Sequence, residues 1–166
     1  MIFVTVGTHE QPFNRLMKEL EIIKDNYKLK DEIIIQGGYS TYHPHNCTFY
    51  KFLDYDQMNS YMEKARIVIT HGGPATIIMS LQHKKIPIVV PRQVKFDEHI
   101  NNHQVEFASK ISSTMQNILL VLNIKDLKKN IFDYNNLTKS KQVSKEDNNN
   151  LFNKKLEQLV KKMGLS

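Results

Sequence analysis

The sequence predicts an α/β fold: an open parallel sheet with helices on both faces. Short apolar runs without strict alternation, such as Ile2 to Val6, Ile67 to Ile69 and Ile88 to Val90, alternate with stretches of helical spacing. Two of the predicted strands run into glycine turns, Gly37-Gly38 and Gly72-Gly73. The polar loops fall at the carboxyl ends of strands, the Rossmann-like arrangement in which such sheets form a ligand cleft.

In chain order, Ile2 to Val6 is a strand, Gly7 to Pro12 a loop, and Phe13, Leu16, Met17, Leu20 and Ile23 one face of a helix. Glu32 to Gln36 and Thr48 to Phe52 are the next strands. Asp56 is placed to cap a helix whose apolar face is Met58, Tyr61, Met62 and Ala65. The strand at Ile67 to Ile69 leads through His71-Gly72-Gly73-Pro74 into a helix over Ala75 to Leu81. After the strand ending at Val90, Ile100 to Ile111 reads as helix, Ile118 to Leu122 as strand and Lys125 to Phe132 as helix. Residues 1–133 thus form the α/β domain, 134–150 a polar linker rich in Asn, Lys and Ser, and 151–166 an amphipathic helix. Its stripe is Phe152, Leu156, Leu159, Val160 and Met163. That stripe suits docking on the parent domain, and equally a partner or a membrane surface.

Composition narrows the function. The 166 residues suffice for one domain with its own core. No apolar run approaches the length of a membrane span. The hydrophobic start, Met1 to Val6, lacks a basic leader and reads as a buried strand. A lone cysteine, Cys47, excludes an internal disulfide framework and is compatible with the cytosol. The formal charge of +6 favours anionic partners. No base-reading basic helix or aromatic stacking motif accompanies it, so nucleic acid is not expected. Neither a Gly-x-x-x-x-Gly-Lys loop nor a Gly-x-Gly-x-x-Gly turn after the first strand is present.

The candidate binding residues lie in three loops. Gly72 and Gly73, between His71 and Pro74, allow close approach of backbone to a ligand, and the helix that follows points its N–H groups at an anion. Thr76 can offer its hydroxyl to a phosphate oxygen or cap the helix. Gly7, Thr8, His9 and Gln11 either face the same ligand from the first strand or cap the first helix. Glu98, Asn102 and Gln104, after Pro91-Arg92, carry groups that both donate to and accept from sugar hydroxyls. His99 and His103 have the i, i+4 spacing of a zinc helix but lack the glutamate after the first histidine. His43, His45 and Cys47 lack a second ligand pair. No metal is expected at either place.

Together, Phe3 to His9, Thr70 to Pro74, Ile88 to Arg92 and Glu98 to Phe107 resemble the glycosyltransferase family 28 C-terminal domain. The resemblance covers residues 1–111 well and the rest in outline. Within the family the chain is similar to small bacterial exopolysaccharide and capsule β-1,4-galactosyltransferase subunits, and to the soluble subunit of the two-part dolichol-pathway UDP-GlcNAc transferase. The resemblance implies the nucleotide-sugar half of a GT-B enzyme. A separate membrane-associated subunit would hold a lipid-linked glycan acceptor and recruit this cytoplasmic chain to the inner face of the membrane. The donor would be a UDP-sugar, used with inversion and without an obligate metal or other cofactor. By the same resemblance Gly72, Gly73, Pro74 and Thr76 lie near the diphosphate, Arg92 and Gln93 near the base or ribose, and Glu98, Asn102 and Gln104 near the sugar. Gly7, Thr8 and His9 face the partner and the leaving group, with His9 a candidate base. One departure stands out: where relatives often carry a ribose-binding Glu, this chain has Met79, whose thioether is a poor acceptor.

Overall fold

The computed structural model describes residues 1–141, 146–162 and 164, with side chains of the last helix from Lys154 on. The strands are β1 (Ile2–Thr5), β2 (Ile33–Gln36), β3 (Thr48–Tyr50), β4 (Ile67–Thr70), β5 (Ile88–Val89) and β6 (Leu119–Leu120). They form one sheet in the order β3-β2-β1-β4-β5-β6, with every pairing parallel. Val4 sits opposite Ile35 on one side and Ile69 on the other. The strand order reverses between β1 and β4, so the loops leaving these two strands splay apart and open a crevice.

The central strands β1, β2 and β4 are mostly apolar because both faces are covered, while the edge strand β3 is largely exposed. Ile2, Val4, Ile33, Ile35, Ile67 and Ile69 pack with Leu16 and Leu20 of α1 (Asn14–Asn26). Leu127 and Ile131 of a later helix join the same cluster. On the other face Phe3, Ile34 and Val68 meet Met62 of α2 (Tyr55–Lys64). There too, Val89 meets Ile77 and Leu81 of α3 (Pro74–Gln82), and Phe107 and Ile111 of α4 (His103–Met115).

Several boundaries differ from the sequence reading. Asp54, not Asp56, caps α2: its carboxylate accepts from the Gln57 N–H, and the Gln57 side chain returns to the Asp54 N–H. The fourth helix starts at His103, not Ile100, because Asn101 and Asn102 accept from the backbone N–H of His103 and Val94 and hold that stretch as a loop. The segment 134–150 is not a plain linker. After α5 (Leu127–Phe132), α6 (Tyr134–Thr138) packs on the core, and the Tyr134 hydroxyl donates to the Ile86 carbonyl at 2.7 Å. Residues 142–145 of that segment lie outside the described residues.

The last helix, α7, spans Glu146–Lys162 and docks on its own domain. Leu156 is fully buried in the cluster with Ile77, Leu81 and Phe107, and Leu159 and Val160 flank it. Phe152 and Met163 fall outside the described side chains. Leu156→Ala therefore lowers stability by about 2–5 kcal/mol, the usual range for a buried leucine; equilibrium urea unfolding checks this.

Candidate functional site

The loops leaving β1, β4 and β5 meet at the crevice. A cleft of about 560 Å³ lies there, lined by Thr8, His9, Glu10 and Gln11 from the first loop, His71 from the second, and His99, Ile100 and Gln104 from the segment entering α4. These elements lie far apart in sequence, and the topological switch brings them together.

His71 is the hub of the cleft floor. Its Nδ1 donates to the Thr5 carbonyl at 3.4 Å, a contact that assigns the hydrogen because a carbonyl can only accept. Nε2 is left as an acceptor. The ring lies against two glycines. A Cβ at Gly7, whose φ is +70°, would stand 2.7 Å from Nε2, and one at Gly73 would stand 2.9 Å from Cε1. Glycine is required at both places because the imidazole occupies the space of a side chain. Gly72 (φ +90°) turns the chain beneath Pro91 and donates to Thr70 Oγ1 at 3.2 Å.

Gly73 is also the residue before α3. No side chain caps that helix, Pro74 occupies its first turn, and Thr76 Oγ1 donates to the Gly73 carbonyl at 3.0 Å. None of residues 72–76 is among those lining the cleft, but Gly73 abuts the ring of the cleft-lining His71, and an uncapped helix start there favours an anion through its N–H groups and dipole. Met79 is not among the residues lining the cleft and packs against the cluster of Phe3, Met62 and Val68.

Burial, and then the Arg92 charge, hold the His71 pKa down to about 3, so the ring is neutral at physiological pH. The unfolded chain takes up this proton below about pH 6.5, while the folded chain does not until about pH 3. Because the unfolded state binds the extra proton, His71 alone removes about 1.4 kcal/mol of stability per pH unit as pH falls through that window. Thermal unfolding of wild type and His71→Gln between pH 7 and 4 tests this: the variant shows the shallower decline.

His9 and His99 stack across the cleft, with ring centroids 4.2 Å apart and planes 14° from parallel. His9 Nε2 pairs with Gln11 Oε1. The Asn101 N–H donates to His99 Nδ1 at 3.3 Å, so Nε2 carries the hydrogen of the neutral ring. Burial lowers the His99 pKa, with further contributions from His9, Arg92 and His103.

Arg92, Gln93 and Glu98 do not stand in the cleft. Arg92 is completely buried, and its guanidinium donates to the carbonyls of Val6 at 2.9 Å, Gln11 at 2.7 Å and Glu98 at 3.1 Å. Gln93 donates to the Leu122 carbonyl. The Glu98 carboxylate receives both Nε and Nη2 of Arg15 at 2.8 Å and the Gln93 N–H at 3.0 Å. The expected contacts of these three with base, ribose and sugar give way to a role beneath the floor: buried charges persist only when paired or hydrogen-bonded. Asn102 accepts from the Val94 N–H. Gln104 does line the cleft, and its Oε1 accepts from the Arg92 N–H at 3.3 Å. Gln36, unmarked in the sequence reading, steadies the first loop by donating to the Gly7 and Lys51 carbonyls.

Among the described residues, no group of three or more His, Cys, Asp or Glu side chains could hold a metal. His99 precedes the helix that His103 begins, so the two do not share a helical turn. His43 stacks on Phe49, and His45 pairs with Glu21.

Residues 1–163 match the model of the glycosyltransferase family 28 C-terminal domain. The chain belongs to this family. No curated protein is matched. Among solved structures, the glycotransferase of kitacinnamycin superposes with a TM-score of 0.55 at 14% identity, over 99% of this chain and 40% of that one. The glycosyltransferase SnogD from Streptomyces nogalater gives a TM-score of 0.45 at 14% identity, over 99% of this chain and 43% of that one. The chain thus spans about two fifths of either enzyme. The first likeness supports the fold: this family 28 domain has the Rossmann-like architecture of one half of a GT-B glycosyltransferase. Among the described residues no helix is long and apolar enough to cross a membrane.

Proposed function

We propose that this family 28 domain binds a UDP-sugar in the cleft between β1 and β4. On this reading it transfers the hexose, with galactose favoured, to a lipid-linked acceptor in exopolysaccharide or capsule assembly. The acceptor is held by a separate membrane-associated subunit, which recruits this cytoplasmic chain to the inner face of the membrane. The observation that carries the nucleotide-sugar reading is the uncapped start of α3, whose Gly73 abuts the ring of the cleft-lining His71 at the topological switch point. The diphosphate lies against Gly73 and the first turn of α3, near Gly7, Thr8 and Thr76. Gln104 and His99 reach the sugar. The reading calls for no metal.

In an inverting transfer the acceptor oxygen forms a bond to the anomeric carbon as the bond from that carbon to the diphosphate oxygen breaks. The electron pair leaves with UDP, and the acceptor proton passes to a base. His9 is our candidate base. With Nε2 tied to Gln11, its Nδ1 is the nitrogen left to take a proton. The helix start stabilises the departing diphosphate.

The same cleft suits UDP-GlcNAc or UDP-glucuronate, and Met79 favours a further reading. Its place in the core leaves that position of α3 without an acceptor for the ribose, as expected of a nucleotide-sugar-binding subunit without catalytic activity of its own. Calorimetry with UDP-galactose, UDP-glucose, UDP-GlcNAc, UDP-glucuronate and UDP names the donor. Co-expression with a candidate membrane partner and labelled donor then separates the readings. Transfer supports the enzyme, and donor binding without transfer supports the binding subunit. A folded chain that binds none of these with or without partner contradicts the proposal.

A further inference from the structure

No lysine or arginine is among the described residues that line the cleft; the one acidic residue there is Glu10, which is exposed. His71 is neutral at physiological pH. A diphosphate would therefore enter a site without a cation in its wall. Beneath the floor the balance differs. Buried Arg92 and Glu98 and partly buried Arg15 form one group, with Glu98 bound by both Nε and Nη2 of Arg15. Arg92 touches Glu98 only at its backbone carbonyl. Two guanidiniums thus stand beside one carboxylate, which binds only that of Arg15, and the excess positive charge is in the interior, where water screens it poorly.

The same residue ties the cleft together. Its side chain binds the Gln11 and Val6 carbonyls, and its backbone N–H reaches the His71 carbonyl at 3.4 Å and Gln104 Oε1 at 3.3 Å. Three of these partners, Gln11, His71 and Gln104, line the cleft. Taking the cleft as the nucleotide-sugar site proposed above, we infer that Arg92 is a positioning residue. From under the floor it also supplies the positive charge by which the cleft favours a nucleoside diphosphate over an uncharged nucleoside, without touching either. The lowered pKa values of His71 and His99, to which Arg92 contributes, agree with a field that reaches the cleft.

The test is the ratio of UDP to uridine affinity, measured on the full chain for wild type, Arg92→Met, Arg92→Lys and Glu98→Gln. A brace without electrostatic effect weakens both ligands alike and leaves the ratio unchanged. Loss of the charge lowers the ratio by about tenfold in Arg92→Met, and the lysine variant restores it. Glu98→Gln raises the ratio, because it removes the only carboxylate of the group. An unchanged ratio in folded Arg92→Met, or an unchanged or lower one in Glu98→Gln, overturns the inference. Glu98→Gln alone decides if Arg92→Met does not fold. If wild type binds neither ligand, the nucleotide reading fails, and titration of the His99 ring by NMR in the ligand-free chain still tests the charge. Its apparent pKa rises in Arg92→Met, or falls in Glu98→Gln, if the field reaches the cleft. An unmoved His99 contradicts it.

Discussion

Gly73→Val abolishes UDP-sugar binding while the chain stays folded. The valine Cβ enters the space of the His71 ring, whose Cε1 and Nε2 atoms are also crowded by Gly7. His71 is itself buried and held to the Thr5 carbonyl, so the element that yields is the start of α3. Moving that start takes the N–H groups of its first turn away from the diphosphate. A misplacement of about 1 Å is enough to cost about a hundredfold in a site of this kind. Overpacking of this sort costs about 1–3 kcal/mol of stability, which circular dichroism and thermal unfolding distinguish from collapse of the fold. Calorimetry with UDP reads the binding. Wild-type affinity in the variant would mean that the diphosphate does not rest on this turn.

His9→Ala lowers the rate of sugar transfer by about 10²–10⁴-fold, the range for loss of a general base. UDP affinity stays within about threefold of wild type on the same reasoning. The expected split follows from the position of His9, which stands on the first loop, lines the cleft and stacks on His99. Removing it also relieves one of the causes that depress the His99 pKa, so the His99 ring titrates higher in the variant. Transfer that survives at the wild-type rate would move the base elsewhere, onto the partner among other places. Loss of UDP binding would make His9 a binding group.

The central strands β1, β2 and β4 were legible because they are buried and read as apolar runs, whereas the edge strand β3, Thr48–Tyr50, is largely exposed. The start of α4 was not legible. Asn101 and Asn102 bind backbone groups that a helix would otherwise use, and their side-chain bonds leave no mark on the apolar spacing. The helix at Tyr134 was hidden for a similar reason, since its anchor is a hydrogen bond to Ile86 across the fold. The cleft loops were found by their polar residues, but polarity does not tell a ligand contact from a buried brace. Arg92 and Glu98 belong to the second kind. Arg15, which makes the difference, is 83 positions from Glu98 in the sequence and carries no local signal. The need for glycine at Gly7 and Gly73 has the same character: each answers to His71, and only the parallel pairing of β1 with β4 brings the three together.

The central claim is that a nucleotide diphosphate binds where β1 and β4 diverge. Titrating UDP into isotopically labelled protein and following the backbone amides by NMR tests it most directly. The account predicts that the largest shifts fall on Gly7, Thr8, Gly72, Gly73, Ala75 and Thr76, with smaller ones at His99 and Gln104. Shifts concentrated on α5, α6 or α7, or none at millimolar UDP with a well-dispersed spectrum, would contradict it.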